Sequence, residues 1–158
     1  MNEQSLFERL EQSPLLNNLA DKIAMSSGKE NPLQVFLQNL NGSSAAFVLQ
    51  SIFSNPKTKH LNHIVVLNDA EESAYFFNSI ESVTEALDLF YFPSSFKSPH
   101  NFSALNPSHV MLRTEALTKI SMGGNKKIIV TYPEALFEKV VLAKTLKQNI
   151  IQIKTNDN

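Results

Sequence analysis

The sequence Asn39-Leu40-Asn41-Gly42-Ser43-Ser44-Ala45-Ala46 connects two apolar segments of the chain. The segment before it, Pro32–Leu37, has the composition of a short strand, and the segment after it, Phe47–Phe53, has the length and pattern of a helix. A tight loop between a strand and a helix is the setting of a phosphate-binding loop. This part of the chain therefore predicts an α/β fold with a nucleotide-type loop.

The residues that carry the chemistry of a phosphate-binding loop are missing. When the loop is aligned with the pattern G-x-x-x-x-G-K-[ST], four positions change, and they are Asn39 at the first glycine, Ser44 at the second, Ala45 at the lysine and Ala46 at the hydroxyl. The lysine of such a loop binds the β- and γ-phosphates, and the hydroxyl ligates magnesium. Because alanine does neither, the sequence predicts a degenerate phosphate loop, with no catalytic residue and no bound cofactor.

Two interpretations of the remaining loop stay open. Gly42, Ser43 and Ser44 stand at a helix start, where free backbone N–H groups attract an anion weakly. The simpler interpretation is an ordinary turn from a strand to a helix. In that turn Gly42 supplies backbone freedom and Ser43 caps the helix.

Composition excludes several classes of protein. The chain has 158 residues, 42% of them hydrophobic, and a net charge of −1, which predicts one domain with a real core and no general attraction to nucleic acid. It has no cysteine, which excludes disulfides, thiolate zinc sites and a cysteine nucleophile. Only Arg9 and Arg113 are arginines. With no signal peptide or long apolar run in the sequence, we expect a cytoplasmic protein that does not enter a membrane.

The rest of the chain predicts strands that alternate with helices. Residues 1–31 form an N-terminal helical segment with a break at Ser13-Pro14, and residues 32–155 form the α/β domain. Helix caps are predicted for Asn68 with Glu71 and for Thr131 with Glu134. Further strands are predicted at Ile64–Leu67, Leu87–Phe92, Lys127–Val130 and Asn149–Lys154. We expect a three-layer fold, a parallel sheet flanked by helices, with Val35, Ile64–Leu67 and Ile128–Val130 at its centre.

Histidines and lysines offer two weaker candidate sites. His60 and His63 have the spacing H-x-x-H, but at the start of a strand this spacing points them to opposite faces, so we expect solvated side chains and no metal. Four lysines could form a basic edge, and they are Lys57, Lys59, Lys126 and Lys127. A solvated rim is the simpler interpretation of these side chains.

Several blocks of the sequence resemble the bacterial transcription-repair coupling factors, the Mfd family. The blocks occur in the family's order and at similar spacing, and they are Leu40–Ala45, Ile64–Glu71, Leu89–Pro93, Arg113–Leu117 and Ile129–Leu136. The resemblance covers roughly residues 32–154. The same blocks are similar to the first helicase-like domain of UvrB, whose loop keeps its lysine and threonine and binds ATP. Ala45 and Ala46 fit the coupling factors instead, whose UvrB-like module is degenerate.

The resemblance implies a non-catalytic UvrB-like scaffold lobe with a degenerate helicase-like fold, a fragment of a larger protein. The full family protein is an ATP-dependent DNA translocase that displaces stalled RNA polymerase and recruits UvrA in nucleotide excision repair. The resemblance implies that downstream domains contact UvrA, RNA polymerase and DNA, and that this chain contacts other domains of the full-length protein. Two alternatives stay open. One is a nucleotide- or phosphate-binding switch that uses Gly42-Ser43-Ser44, and the other is a stand-alone interaction domain.

Overall fold

The computed structural model describes residues 8–26, 28, 30, 33–84, 88–98, 101–124, 126–141, 144–145 and 148. The helices with defined bounds are α1 (Pro14–Ser26), α2 (Ser44–Ser54), α3 (Ala70–Val83), α4 (Pro107–Met122) and α5 (Pro133–Phe137). Residues 8–11, 144–145 and 148 are also helical. The strands are β1 (His63–Val66), β2 (Leu89–Tyr91), β3 (Phe96–Ser98), β4 (Asn101–Leu105) and β5 (Ile128–Thr131). None of the helices in this part of the chain is both long and apolar enough to cross a bilayer.

A parallel sheet of three strands lies at the centre of the fold, in the order β1-β5-β2. Strands β3 and β4 form a separate antiparallel pair. All four residues of β5 are buried, as expected of a parallel strand covered on both faces. The strands predicted at Ile64–Leu67, Leu87–Phe92 and Lys127–Val130 are confirmed, although Leu87 itself lies outside the described residues.

Helices cover both faces of the sheet, which confirms the three-layer prediction. Alternate residues of β5 point to opposite faces, so Ile128 and Val130 enter one core cluster and Ile129 enters the other. The first cluster contains Ala46 and Phe53 of α2 and Ile80 of α3. The second cluster joins β2 and β5 to α4 and α5, through Phe90, Phe92, Ala116, Ile129, Tyr132 and Ala135.

The N-terminal helix α1 packs on the outside of α2, with Leu16, Leu19 and Ala20 buried. It begins at Pro14, as the Ser13-Pro14 break predicts. Asn55 Nδ2 donates to Asn17 Oδ1 over 3.1 Å. Asp21 forms a 2.5 Å ion pair with Lys57 that is half exposed on both sides.

The strand predicted at Pro32–Leu37 is wrong. Residues 33–41 have no regular structure, and the side chain of Phe36 is 84% exposed. A strand is stabilised by backbone hydrogen bonds to a neighbour, and within the described residues this segment has no pairing partner. Its apolar residues alone do not make it a strand.

The placement of β1 at the centre of the sheet is also wrong. Among the described strands β1 pairs only with β5, so it stands at the edge, and Ile64 and Val66 are 62% and 51% exposed. The second core cluster takes its strand residues from β2 and β5 and none from β1. No described element therefore covers this face of β1. The strand predicted at Asn149–Lys154 lies outside the described residues.

Both predicted capping boxes differ from the structure. Helix α3 is capped one residue later than predicted, because Asp69 Oδ1 accepts from the backbone N–H of Glu72 over 2.8 Å. Glu72 Oε2 in turn accepts from the backbone N–H of Asn68 over 3.0 Å. The hydroxyl of Thr131 donates to the carbonyl of Phe92 over 2.8 Å, so it is unavailable to cap α5.

Replacement of Ile129 by Asp is expected to prevent folding. The residue is buried in the central strand, and an unpaired carboxylate there costs several kcal/mol as an order of magnitude. Ile64→Asp is the matched control, since Ile64 pairs with Ile129 in the sheet but has an exposed side chain. Thermal melting followed by circular dichroism distinguishes the two variants. A cooperative, unshifted transition in Ile129→Asp would contradict the assignment of β5 as the core strand.

Candidate functional site

The Gly42 loop leads into α2 through two residues with left-handed backbone conformation. Asn39 has φ 62° and Gly42 has φ 55°. Glycine adopts this region freely, and asparagine does so more readily than most residues. A Cβ atom added at Gly42 would meet nothing within 4 Å, so the glycine is needed for its backbone angle and not for space.

Much of the hydrogen-bonding capacity of the loop is used within the loop. The N–H of Ser44 donates to the carbonyl of Asn41 over 3.2 Å, and the N–H of Ala46 donates to the carbonyl of Ser43 over 3.0 Å. Ser43 stands at the N-cap of α2, but its side chain makes no capping hydrogen bond, so the predicted side-chain cap is wrong. The hydroxyl of Ser44 is buried and has no hydrogen-bond partner among the described residues.

The two alanines of the loop occupy different surroundings. Ala46, at the position of the magnesium-binding hydroxyl, is 0% exposed and packs in the core with Phe53 and Val130. Ala45, at the position of the lysine, lines a cavity beside the loop. A side chain at position 46 therefore points into the core and not towards a ligand at the loop.

The cavity beside the loop has a volume of about 580 Å³ and is mainly apolar. Its lining comes from the loop and the residues before it, from one side of α2, from one side of α3 and from the end of β1, and includes Leu37, Leu40, Val48, Leu49, Val65 and Phe76. Among the described residues that line it, Glu72 carries a charge, and none of them is a lysine or arginine. A phosphate group would meet an acidic side chain here instead of a basic one.

The structure contains two of the three elements predicted around the loop. The turn and the following helix are present, whereas the residues before the turn are not a strand. The structure thus brings Gly42, Ser43 and Ala45 together at the cavity and directs Ala46 away from it. The descent of this loop from a working phosphate loop stays a prediction.

The two histidines of the H-x-x-H spacing have different environments. His60 is exposed, whereas the ring of His63 packs edge-on against Phe53 at 5.7 Å between centroids. Burial lowers the pKa of His63, and the charge of Lys126 lowers it further. The described residues contain no group of three or more histidines and carboxylates placed to hold a metal ion.

Most of the predicted rim lysines make structural contacts. Lys126 Nζ donates to the carbonyl of Phe53 and lies 4.1 Å above the centroid of the Phe53 ring. Burial lowers the pKa of Lys126, with a further contribution from Lys59. Lys127 Nζ donates to the carbonyl of Gly123 over 3.0 Å. With Lys57 paired to Asp21, the rim is only in part a solvated surface.

Arg113 forms a polar cluster that the sequence did not reveal. It is 4% exposed, and Nη1 donates to the carbonyls of Pro93 and Ala135 over 3.0 and 2.9 Å. Its Nη2 donates to the carbonyl of Glu138 over 3.0 Å, and Nε lies 3.4 Å from Glu138 Oε1. The guanidinium also lies 4.1 Å from the centre of the Phe92 ring. This arginine is therefore committed to internal contacts and unavailable to a phosphate.

Glu138 completes the cluster by holding the segment after β2. Its Oε2 accepts from Ser94 Oγ over 3.0 Å and from the N–H of Ser95 over 2.8 Å. Burial acts to raise the pKa of Glu138, but the hydrogen bonds from Ser95 and Ser94 and the charge of Arg113 outweigh it, so the pKa is lowered. The carboxylate thus stays ionised opposite the arginine.

A weak signal of this cluster exists in the sequence. Arg113 is one helical turn from Ala116 and Leu117, so it shares the apolar face of a predicted helix. A charged residue on such a face needs a buried partner. The partner itself could not be identified, because β5 and α5 lie between Arg113 and Glu138 along the chain.

Arg113→Ala is expected to lower the free energy of unfolding by about 3–5 kcal/mol, because it leaves Glu138 and three carbonyls without their partner. Arg9→Ala is the matched control, since Arg9 is exposed and should leave stability within about 0.5 kcal/mol. Urea denaturation measures both changes. Equal stabilities of the two variants would show that the cluster does not stabilise the fold.

Comparison with known proteins identifies one informative relative. The chain is 33% identical over 91 residues to the transcription-repair-coupling factor of Rickettsia typhi, a match that covers 52% of this chain and 8% of that protein. No family model matches the chain, and no solved structure gives a significant match. The identity shows that a region of this chain is related to a coupling factor, as its sequence blocks suggested. The chain spans less than a tenth of the length of that relative.

Proposed function

We propose that this chain is a non-enzymatic scaffold lobe that serves transcription-repair coupling. The observation that carries the proposal is the 33% identity to a transcription-repair-coupling factor over 91 residues. The α/β architecture is consistent with the helicase-like lobe implied by the sequence blocks. In this role the chain supports neighbouring domains in the cytoplasm. Contacts with UvrA, RNA polymerase and DNA then belong to other parts of a coupling factor.

The chemistry of the Gly42 loop supports a scaffold more than a nucleotide switch. A working loop combines backbone amides, a lysine and a magnesium-binding hydroxyl. Here the amides of Ser44 and Ala46 donate to carbonyls of the loop, and Ala46 itself is in the core. The adjoining cavity is mainly apolar and carries the carboxylate of Glu72. Anion attraction by a helix terminus alone contributes about 0.3–1 kcal/mol.

Magnesium-ATP at several millimolar is expected to leave the melting temperature unchanged. A ligand at ~100 times its dissociation constant would add ~2.7 kcal/mol, which corresponds to a rise of a few degrees. Restoration of the missing residues by Ala45→Lys with Ala46→Thr should still give no response to ATP. It should lower stability by about 1–3 kcal/mol, because a larger side chain enters the core at position 46.

A rise in melting temperature with magnesium-ATP that Ser43→Glu removes would favour the phosphate-switch alternative. The Ser43 side chain is exposed at the start of α2 and makes no capping bond, so an added charge there repels phosphate without removing a contact. The same titration with magnesium chloride alone controls for an effect of the cation.

Disruption of the gene is expected to abolish the faster repair of the transcribed strand after ultraviolet irradiation. Strand-specific lesion counts measure this difference directly. Reintroduction of the gene with Arg9→Ala should restore the difference, whereas Arg113→Ala should restore it poorly, because the folded lobe is lost. Transcribed-strand repair that remains faster after disruption would remove the assignment to transcription-repair coupling.

A further inference from the structure

The outer edge of β1 exposes backbone groups of the kind that bind another strand. In a parallel pair, the N–H and C=O groups of alternate residues point to the same neighbour. The N–H groups of His63 and Leu67 donate to Lys127 and Thr131 of the β5 segment, over 2.8 and 3.0 Å. Those of Ile64 and Val66 therefore point away from β5, and the described residues place no strand on that side.

The side chains of the same two residues are apolar and exposed. Ile64 and Val66 lie on the face of the sheet opposite α2 and α3. On this face the second core cluster, the one that contains Ile129, includes no residue of β1. Edge strands are commonly protected by lysine, proline, a bulge or a covering element. The segment His63–Leu67 contains neither a charged residue nor a proline. Within the part of the chain that the structure describes, this edge is unprotected and suited to pairing.

Charge distribution around β1 selects the orientation of a partner strand. The acidic residues Asp69 and Glu71 follow the strand, whereas Lys59 precedes it and lies close enough to Lys126 to affect its pKa. Asp69, Glu71 and Lys59 are all exposed. An antiparallel partner with the same sequence places its basic end beside this acidic end. A parallel copy would place like charges together.

We infer that β1 is a dimerisation edge that binds β1 of a second copy of this chain in antiparallel orientation. A two-fold axis beside Val65 pairs Ile64 of each copy with Val66 of the other, and each pair exchanges N–H···O=C bonds. The exposed side chains of Ile64 and Val66 then form one cross-strand apolar cluster. Two three-stranded sheets become one continuous sheet.

The dimer is expected to be weak and dependent on concentration. One short strand edge buries less than the roughly 800 Å² per partner of a stable interface. The net charge of −1 opposes association very little. Sedimentation velocity over a roughly hundred-fold range of protein concentration should therefore show a monomer that converts to a dimer.

Val66→Lys should keep the chain monomeric over the whole range, because it places a charged side chain opposite Ile64 of the other copy, and a lysine at a strand edge opposes pairing. Its melting temperature in dilute solution should equal that of the unchanged chain, since the side chain is exposed. Phe137→Lys is the matched control. It removes an apolar side chain that is 88% exposed but lies outside β1, and the dimer should persist.

Charge reversal tests the antiparallel orientation independently. Lys59→Glu and Glu71→Lys should each weaken the dimer, and the double variant should restore it, because opposite charges again meet across the two-fold axis. Hydrogen exchange of the Ile64 and Val66 amides should slow as concentration rises. A constant sedimentation coefficient at all concentrations overturns the proposal, and so does a dimer that survives Val66→Lys. Either result would leave the edge to a strand of another polypeptide.

Discussion

The complete burial of β5 is the constraint on which the other elements depend. A parallel strand between two neighbours has two faces, and each needs a helical layer to exclude water. Ile128 and Val130 require α2 and α3, whereas Ile129 requires α4. The polar end of the strand is also satisfied, since the Thr131 hydroxyl donates to Phe92 and the Thr131 carbonyl accepts from Ser73 Oγ over 3.0 Å. The order of the sheet and the position of its helices follow from this one strand.

The Arg113–Glu138 cluster fixes the position of α4 relative to α5 and to the segment after β2, which hydrophobic contact alone would not define. Apolar burial is not directional, whereas the guanidinium fork binds acceptors in fixed positions. Its three carbonyl partners lie after β2, within α5 and just after α5, so one side chain of α4 sets the relative position of these segments. Glu138 extends the same restraint to Ser94 and Ser95, ahead of β3.

Local signals in the sequence predicted the helices and strands themselves better than they predicted which of these elements lie side by side. The β-branched runs at Ile64–Leu67 and Ile128–Val130 are strands, and α1 begins at Pro14, where the Ser13-Pro14 break predicted a helix start. The apolar run at Leu33–Leu37 carried a similar signal, but it pairs with none of the described strands. Likewise, nothing in the composition of β1 distinguishes an edge strand from a central one. The pairing and burial of a strand depend on residues that are distant in the sequence, and a local sequence pattern carries no information about those residues.

The backbone geometry of the Gly42 loop does not depend on the loop binding a ligand. The left-handed angle at Gly42 is required to turn the chain into α2, whatever the loop binds. The rotation of α2 about its own axis is set by Phe53, which must reach the core beside Val130. Because Ala46 lies two helical turns before Phe53, the same rotation directs position 46 into that core. A hydroxyl there would be buried without water, so the packing that orders α2 is itself incompatible with a magnesium ligand at this position.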